Sequence, residues 1–104
     1  MSEALPSPIE LTAVDERRNV RRRYSIMAVR DLFGWVIVET SWGRVGSRGS
    51  SAALSFRDDA DALAFIHRTL RKRATAPKRI GVPYSLQSPL PQQKHLRPWL
   101  ESFL

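Results

Sequence analysis

The sequence predicts an α+β domain: an antiparallel sheet of about four strands with one helix packed across it, followed by a proline-rich tail. Three observations carry that prediction. Between Ile9 and Phe56 apolar residues fall in short, β-rich runs separated by turn-forming residues, as half-buried strands do. From Asp59 the period lengthens, and Leu63, Ile66 and Leu70 recur at i, i+3 and i+7, the stripe of a helix lying on a sheet. Beyond that helix, Pro77, Pro83, Pro89, Pro91 and Pro98 oppose regular structure.

The elements follow in order. Ile9 to Ala13 reads as a short first strand, with Ile9, Leu11 and Ala13 on one face. Val14 to Arg22 reads as a polar connector. Arg23 to Arg30 is a second strand, with Tyr24, Ile26 and Ala28 on one side and Met27 and Val29 on the other. Asp31-Leu32-Phe33-Gly34 sits between two β-rich runs and reads as a hairpin turn. Trp35 to Trp42 is the strongest strand, being β-branched and aromatic. Period two puts Val36, Val38, Thr40 and Trp42 on one face and Trp35, Ile37, Glu39 and Ser41 on the other. Trp42 thus shares a face with two valines, which favours partial burial of its ring. Val45 to Ser51 is a glycine-bearing loop, and Ala52 to Phe56 a further strand. The helix spans about Asp59 to Arg73. Asp58 is placed to cap it, with Asp61 three residues on as a weak capping box. Arg68, Arg71, Lys72 and Arg73 crowd its last turn, where the helix dipole favours cations.

Residues 1–7 are expected to be disordered, 8–76 to form the domain, and 77–104 to form the tail. The tail ends in Arg97-Pro98-Trp99-Leu100-Glu101-Ser102-Phe103-Leu104, and Pro98 can open a last helical turn there. Trp99, Leu100, Phe103 and Leu104 then make one apolar cluster. Two readings stay open for it: docking back on its own domain, or docking into a protein partner or a second copy.

Composition removes several function classes. A chain of 104 residues has room for one modest core. It has no cysteine, which excludes a disulfide framework and cysteine-ligated metal. No apolar run approaches the ~20 residues of a membrane span, so no membrane partner is expected. Met1 to Glu10 is acidic and proline-bearing, unlike a signal peptide. A cytoplasmic place is expected, with bacterial nucleoid association compatible with the charge. His67 and His95 have no second ligand at metal spacing, and Gly46 to Ser51 lacks the lysine and spacing of a phosphate-cradling loop. Neither a cofactor nor a catalytic activity is expected.

Charge is concentrated in the middle of the chain. Met1 to Glu16 holds four acids and no Lys or Arg, whereas Arg17 to Arg79 holds 15 Lys/Arg against five acids. A body so basic suits an anionic partner, nucleic acid foremost. Arginine supplies 14 of the 17 basic residues, which leans toward bidentate phosphate gripping and equally fits a GC-rich genome. Within this body lies Trp42-Gly43-Arg44-Val45-Gly46. It places a flat ring, a backbone without side chain and a guanidinium in one short turn. Such a group can stack on a base or sugar, approach closely and grip a phosphate. From spacing alone it reads equally as a strand end with a core tryptophan and a solvated arginine.

Trp42-Gly43-Arg44-Val45-Gly46-Ser47-Arg48-Gly49 resembles the signature of the WGR domain. That domain occurs in poly(ADP-ribose) polymerases, in bacterial regulators and as small standalone bacterial proteins, the group this chain looks most like. Upstream, Asn19-Val20-Arg21-Arg22-Arg23-Tyr24 is similar to the family's Asn-x-x-Lys/Arg-Phe-Tyr entry into a strand. Downstream, Phe56-Arg57-Asp58-Asp59-Ala60-Asp61-Ala62 resembles its entry into the helix. The likeness covers about Pro8 to Arg73 in the expected order. It implies binding of DNA, at ends or breaks rather than by sequence. It implies that Trp42 packs on the sugar at a DNA end, with Gly43 allowing close approach. Arg44 would contact the backbone or a partner domain, and Arg22 would approach the 5′ phosphate. Arg21 and Arg23 stand beside Arg22, where many relatives have polar and aromatic residues. Arg48 joins the set by charge and proximity alone. Single-stranded DNA or RNA is a further possible ligand class, and a protein-interaction adaptor using the same surface and the apolar tail is the alternative function.

Overall fold

The computed structural model describes residues 2–3, 8–88, 100 and 103. Its sheet is antiparallel, as expected, and is crossed by one long helix. The strands are β1 (Ser2–Glu3), β2 (Ile9–Asp15), β3 (Val20–Arg30), β4 (Val36–Arg44), β5 (Ser50–Phe56) and β6 (Ser85–Leu86). They run in the order β5-β4-β3-β2-β6, with β1 pairing onto β3. The four long strands match the sequence reading; β1 and β6 are two-residue additions at its margins. Helix α1 spans Asp59–Ala74 and a single turn, α2, spans Ala76–Arg79.

Register explains how one sheet face changes from core to site. Ala28 pairs with Val38, Ile26 with Ile9 and Thr40, Tyr24 with Leu11 and Trp42, and Arg22 with Ala13 and Arg44. Directly paired residues share a face. Along that face the rungs therefore go from aliphatic, through an aromatic pair, to two arginines. Ile9, Leu11, Ile26 and Val38 are almost wholly buried beneath Ile66 and Leu70 of α1. The helix ends above the aromatic rung, so the rung beyond it is left open.

Three expectations need correction. The connector is only Glu16–Asn19: Val14 and Asp15 belong to β2, and β3 begins at Val20. A short 3-10 turn suffices because Asp15 accepts from the Arg17 backbone N–H and Asn19 adopts the left-handed conformation, φ 55°. Asp58 occupies the N-cap position of α1 but makes no side-chain cap bond. The neighbouring Asp59 instead takes both ends of the Arg30 guanidinium, each at 2.9 Å, which ties the helix start to β3.

The third correction concerns the tail. Pro77 lies in the first turn of α2, where its missing N–H costs nothing. Val82 and Tyr84 are buried, and Ser85–Leu86 pairs with Thr12 and Leu11 of β2. Leu100 and Phe103 are also core residues, and the Leu86 N–H donates to the Phe103 carbonyl at 2.8 Å. Those two side chains are thus unavailable as a docking surface for a partner. Trp99 and Leu104 of the same cluster lie outside the described residues. At the other end, Ser2–Glu3 pairs with Val29–Arg30; Met1 and residues 4–7 lie outside the described residues.

Candidate nucleic-acid interface

Where α1 stops short of the sheet end, a cleft of about 410 Å³ opens. It is lined by Asn19, Val20, Arg21, Arg22, Arg23, Trp42, Gly43, Arg44, Arg73 and Tyr84. Five of the ten are arginines and none is acidic; Arg22, Arg44 and Arg73 lie on the Trp42 side of the sheet and make the cleft positive, which favours an anion.

Trp42 provides the flat wall. The residue is 39% exposed. Its inner side stacks on Tyr24 with centroids 6.3 Å apart and planes 17° from parallel. Tyr24 is in turn covered by Arg73, whose guanidinium carbon lies 4.5 Å from the ring centroid. The result is a layered wall of guanidinium, phenol and indole.

The arginines differ in how far the fold has already engaged them. Arg44 donates from Nη1 and Nη2 to the carbonyl and Oδ1 of Asn19, at 3.2 and 2.6 Å. This fork fixes the left-handed Asn19 and so the entry into β3. Arg23 points to the opposite sheet face and straps the signature loop. It donates to Ser41 Oγ at 2.8 Å, to the Ser47 carbonyl at 2.9 Å from Nη2, and to the Arg48 carbonyl. Arg21 pairs with Glu16 at 2.7 Å. Arg22 is exposed, and among the described residues its side chain has no hydrogen bond or ion pair; the same holds for Arg48. Arg22 also stands directly opposite Arg44 in the sheet. Like charges so placed repel, and an anion between them relieves the repulsion.

The loop glycines have a specific role. At Gly43, φ is +152°, and a Cβ would meet the Gly49 Cα at 2.8 Å. At Gly49, φ is +65°, and a Cβ would run into the Trp42 carbonyl and the Arg23 guanidinium. Both glycines are therefore required for the loop to fold against β4 and under Arg23.

The structure thus brings Arg21, Arg22, Arg23, Trp42, Gly43 and Arg44 to one cleft. Arg48 is in the adjoining loop and does not line it. Four lining residues, Asn19, Val20, Arg73 and Tyr84, were missed from the sequence as site residues. Arg73 had a sufficient explanation in the helix dipole, yet it falls three residues after Leu70 and so continues the sheet-facing stripe; that spacing was the signal. Tyr84 lies in the proline-rich stretch, where no periodicity marks it. Asn19 belongs to the quoted strand-entry motif, but its bond to Arg44 spans 25 positions and left no local sign. Among the described residues no group of His, Cys, Asp or Glu is arranged to hold a metal ion, and no helix is long and apolar enough to cross a membrane.

Comparison with known proteins follows the same lines. Residues 7–76 match the family profile described as WGR domain. The chain is also similar to an uncharacterized protein, y4dW, of Sinorhizobium fredii. The two are 29% identical over 76 residues, which is 70% of this chain and 37% of that protein. This chain therefore spans little more than a third of that relative's length.

Proposed function

The chain belongs to the WGR domain family, a nucleic-acid-binding type of module known from poly(ADP-ribose) polymerases, and from that premise we propose that it binds the ends or breaks of duplex DNA through the cleft beside Trp42. The observation that carries the reading is the pairing of a partly exposed tryptophan with Arg22, Arg44 and Arg73 in one concave site whose lining holds no acid. An internal stretch of duplex presents phosphates but keeps its base-pair faces stacked. An end presents both a phosphate backbone and an uncovered sugar and base pair, which a flat ring can cover. Trp42 supplies that ring. Arg22, exposed and uncommitted, supplies the phosphate contact. Arg44 shapes the wall by holding Asn19, and Arg23 shapes the loop. Binding of this kind needs no catalytic group, and the chain is read as a non-enzymatic module.

The test is a binding series by fluorescence anisotropy against blunt linear duplex, nicked duplex, closed circular duplex, single-stranded DNA and RNA. Each is measured at low and at moderate salt. Linear duplex is expected to bind more tightly than closed circular duplex at matched base-pair concentration, with affinity falling steeply as salt rises. Equal affinity for both would remove end recognition and leave electrostatic attraction alone. Preference for single strands or RNA would reassign the ligand. Absence of binding at low salt would overturn the nucleic-acid reading in favour of a protein-interaction adaptor.

A further inference from the structure

Arg73 lines a second concavity on its other side. This one, about 300 Å³, is formed by Tyr24, Phe65, Arg68, Thr69, Lys72 and Arg73. Its size is at the small end of ligand-holding cavities, ~300–1,000 Å³. Phe65, Arg68, Thr69 and Lys72 fall at i, i+3, i+4 and i+7, so they form a single stripe of α1 facing Tyr24. Again the lining holds three cations and no acid. Its polar and aromatic parts have different structural standing. Phe65 packs one side against Phe56, centroids 5.4 Å apart, and remains partly exposed. Arg68 is exposed and, among the described residues, makes no ion pair or hydrogen bond.

The two hollows adjoin at Arg73. It is the residue common to both linings. Its Nε is buried and has no hydrogen-bond partner among the described residues. A buried donor without an acceptor is uncommon. The helix dipole accounts for cations at this end of α1. It does not account for an accessible phenyl ring beside them or for the unmatched Nε.

We propose that the second cleft binds unpaired nucleotides that extend from a duplex end held in the first. A positive groove with an aromatic wall is the general means of holding single strands, and because the two clefts adjoin at Arg73, a strand that crosses this residue reaches from one to the other. This rests on the duplex-end reading and adds a preference to it: an end with a single-stranded overhang binds more tightly than a blunt end.

The test uses DNA hairpins with one free end, either blunt or carrying a short oligothymidine extension at the 3′ or the 5′ side. For the unmodified protein, one overhang is expected to bind roughly five-fold or more tighter than the blunt end. Arg68→Gln should remove that excess while leaving blunt-end affinity at the level of Arg57→Gln. The latter is a charge-matched control, because Arg57 lies over Trp35 at 6.0 Å and lines neither cleft. Equal affinity for blunt and overhanging ends would overturn the second cleft and leave the end reading standing. So would equal effects of the two substitutions on every hairpin. Overhang binding by the unmodified protein with no blunt-end binding would overturn the duplex-end reading and, with it, the extension of a held end into the α1 groove.

Discussion

The indole of Trp42 is both a rung of the sheet and a wall of the cleft, so stability and binding must be separated there. Because more than a third of the residue is exposed, Trp42→Ala is expected to cost about 2 kcal/mol, below the ~3–5 kcal/mol of a fully buried Trp or Phe truncation. Trp42→Phe keeps the stack on Tyr24 while shrinking the open face. It should melt cooperatively near the parent's temperature and lose several-fold affinity for a DNA end, with closed-circle binding barely altered. A variant that melts and binds both substrates like the parent would make Trp42 a packing residue only. Gly49→Ala asks a different question. Its Cβ meets the Trp42 carbonyl in a left-handed conformation, so urea unfolding should show a loss of ~1–3 kcal/mol. Unchanged stability would mean that the loop accommodates a side chain and that its glycines have no such role.

Among the elements, strands β3, β4 and β5, the Asp31–Gly34 hairpin and helix α1 were legible because each is a local pattern. Alternation marks the strands, a turn marks the hairpin, and the 3.6 period marks the helix. The connector and the tail were not. Glu16–Asn19 is held by a left-handed asparagine and by Arg18, whose guanidinium bonds Asp15 and the distant Ile80 carbonyl. Ser85–Leu86 is a strand only because β2 offers an edge to it. Leu100 and Phe103 are buried by contacts that no local periodicity announces, and Leu100→Ala is therefore expected to lower stability by ~2–5 kcal/mol, read by thermal or urea unfolding. A near-neutral result would detach the C-terminal segment from the core. The start of α1 gives a pH dependence. The hydrogen bond from Arg30 is the largest cause holding Asp59 below the usual aspartate range, while its guanidinium is pushed further up by the same bond. For a carboxylate lowered in the folded state, the stabilisation is complete above its ordinary pKa and is lost as pH falls through the lowered one. Asp59→Asn should thus be slightly less stable than the parent near neutrality, with the two melting temperatures converging on acidification. Parallel curves across that range would remove the pair from the stability of α1. The effect is small because both groups face solvent.

At the scale of the whole molecule, charge and the open cleft act together. The basic body was plain from composition, and the Trp42 segment was plain from its motif. What the sequence left unresolved was which arginines the fold engages. Arg22, Arg23 and Arg44 are all basic motif residues in the sequence, yet tertiary bonds to the loop and to Asn19 commit Arg23 and Arg44, while Arg22 remains available. Arg22→Glu is accordingly expected to weaken duplex binding strongly and to flatten its salt dependence, by removing a phosphate contact and adding a repulsion. Arg71→Glu should do less. Equal losses would mean that the charge acts as a diffuse cloud. The central claim, that a DNA end meets the Trp42 ring, is tested most directly by indole N–H signals in a nitrogen-15 correlation spectrum. The comparison is between a DNA hairpin with one blunt end and a closed dumbbell of the same stem with none. The hairpin should shift or broaden the Trp42 signal while leaving that of Trp35 in place, and the dumbbell should leave both unchanged. A Trp42 signal that ignores the hairpin, or that responds identically to the dumbbell, would contradict the account.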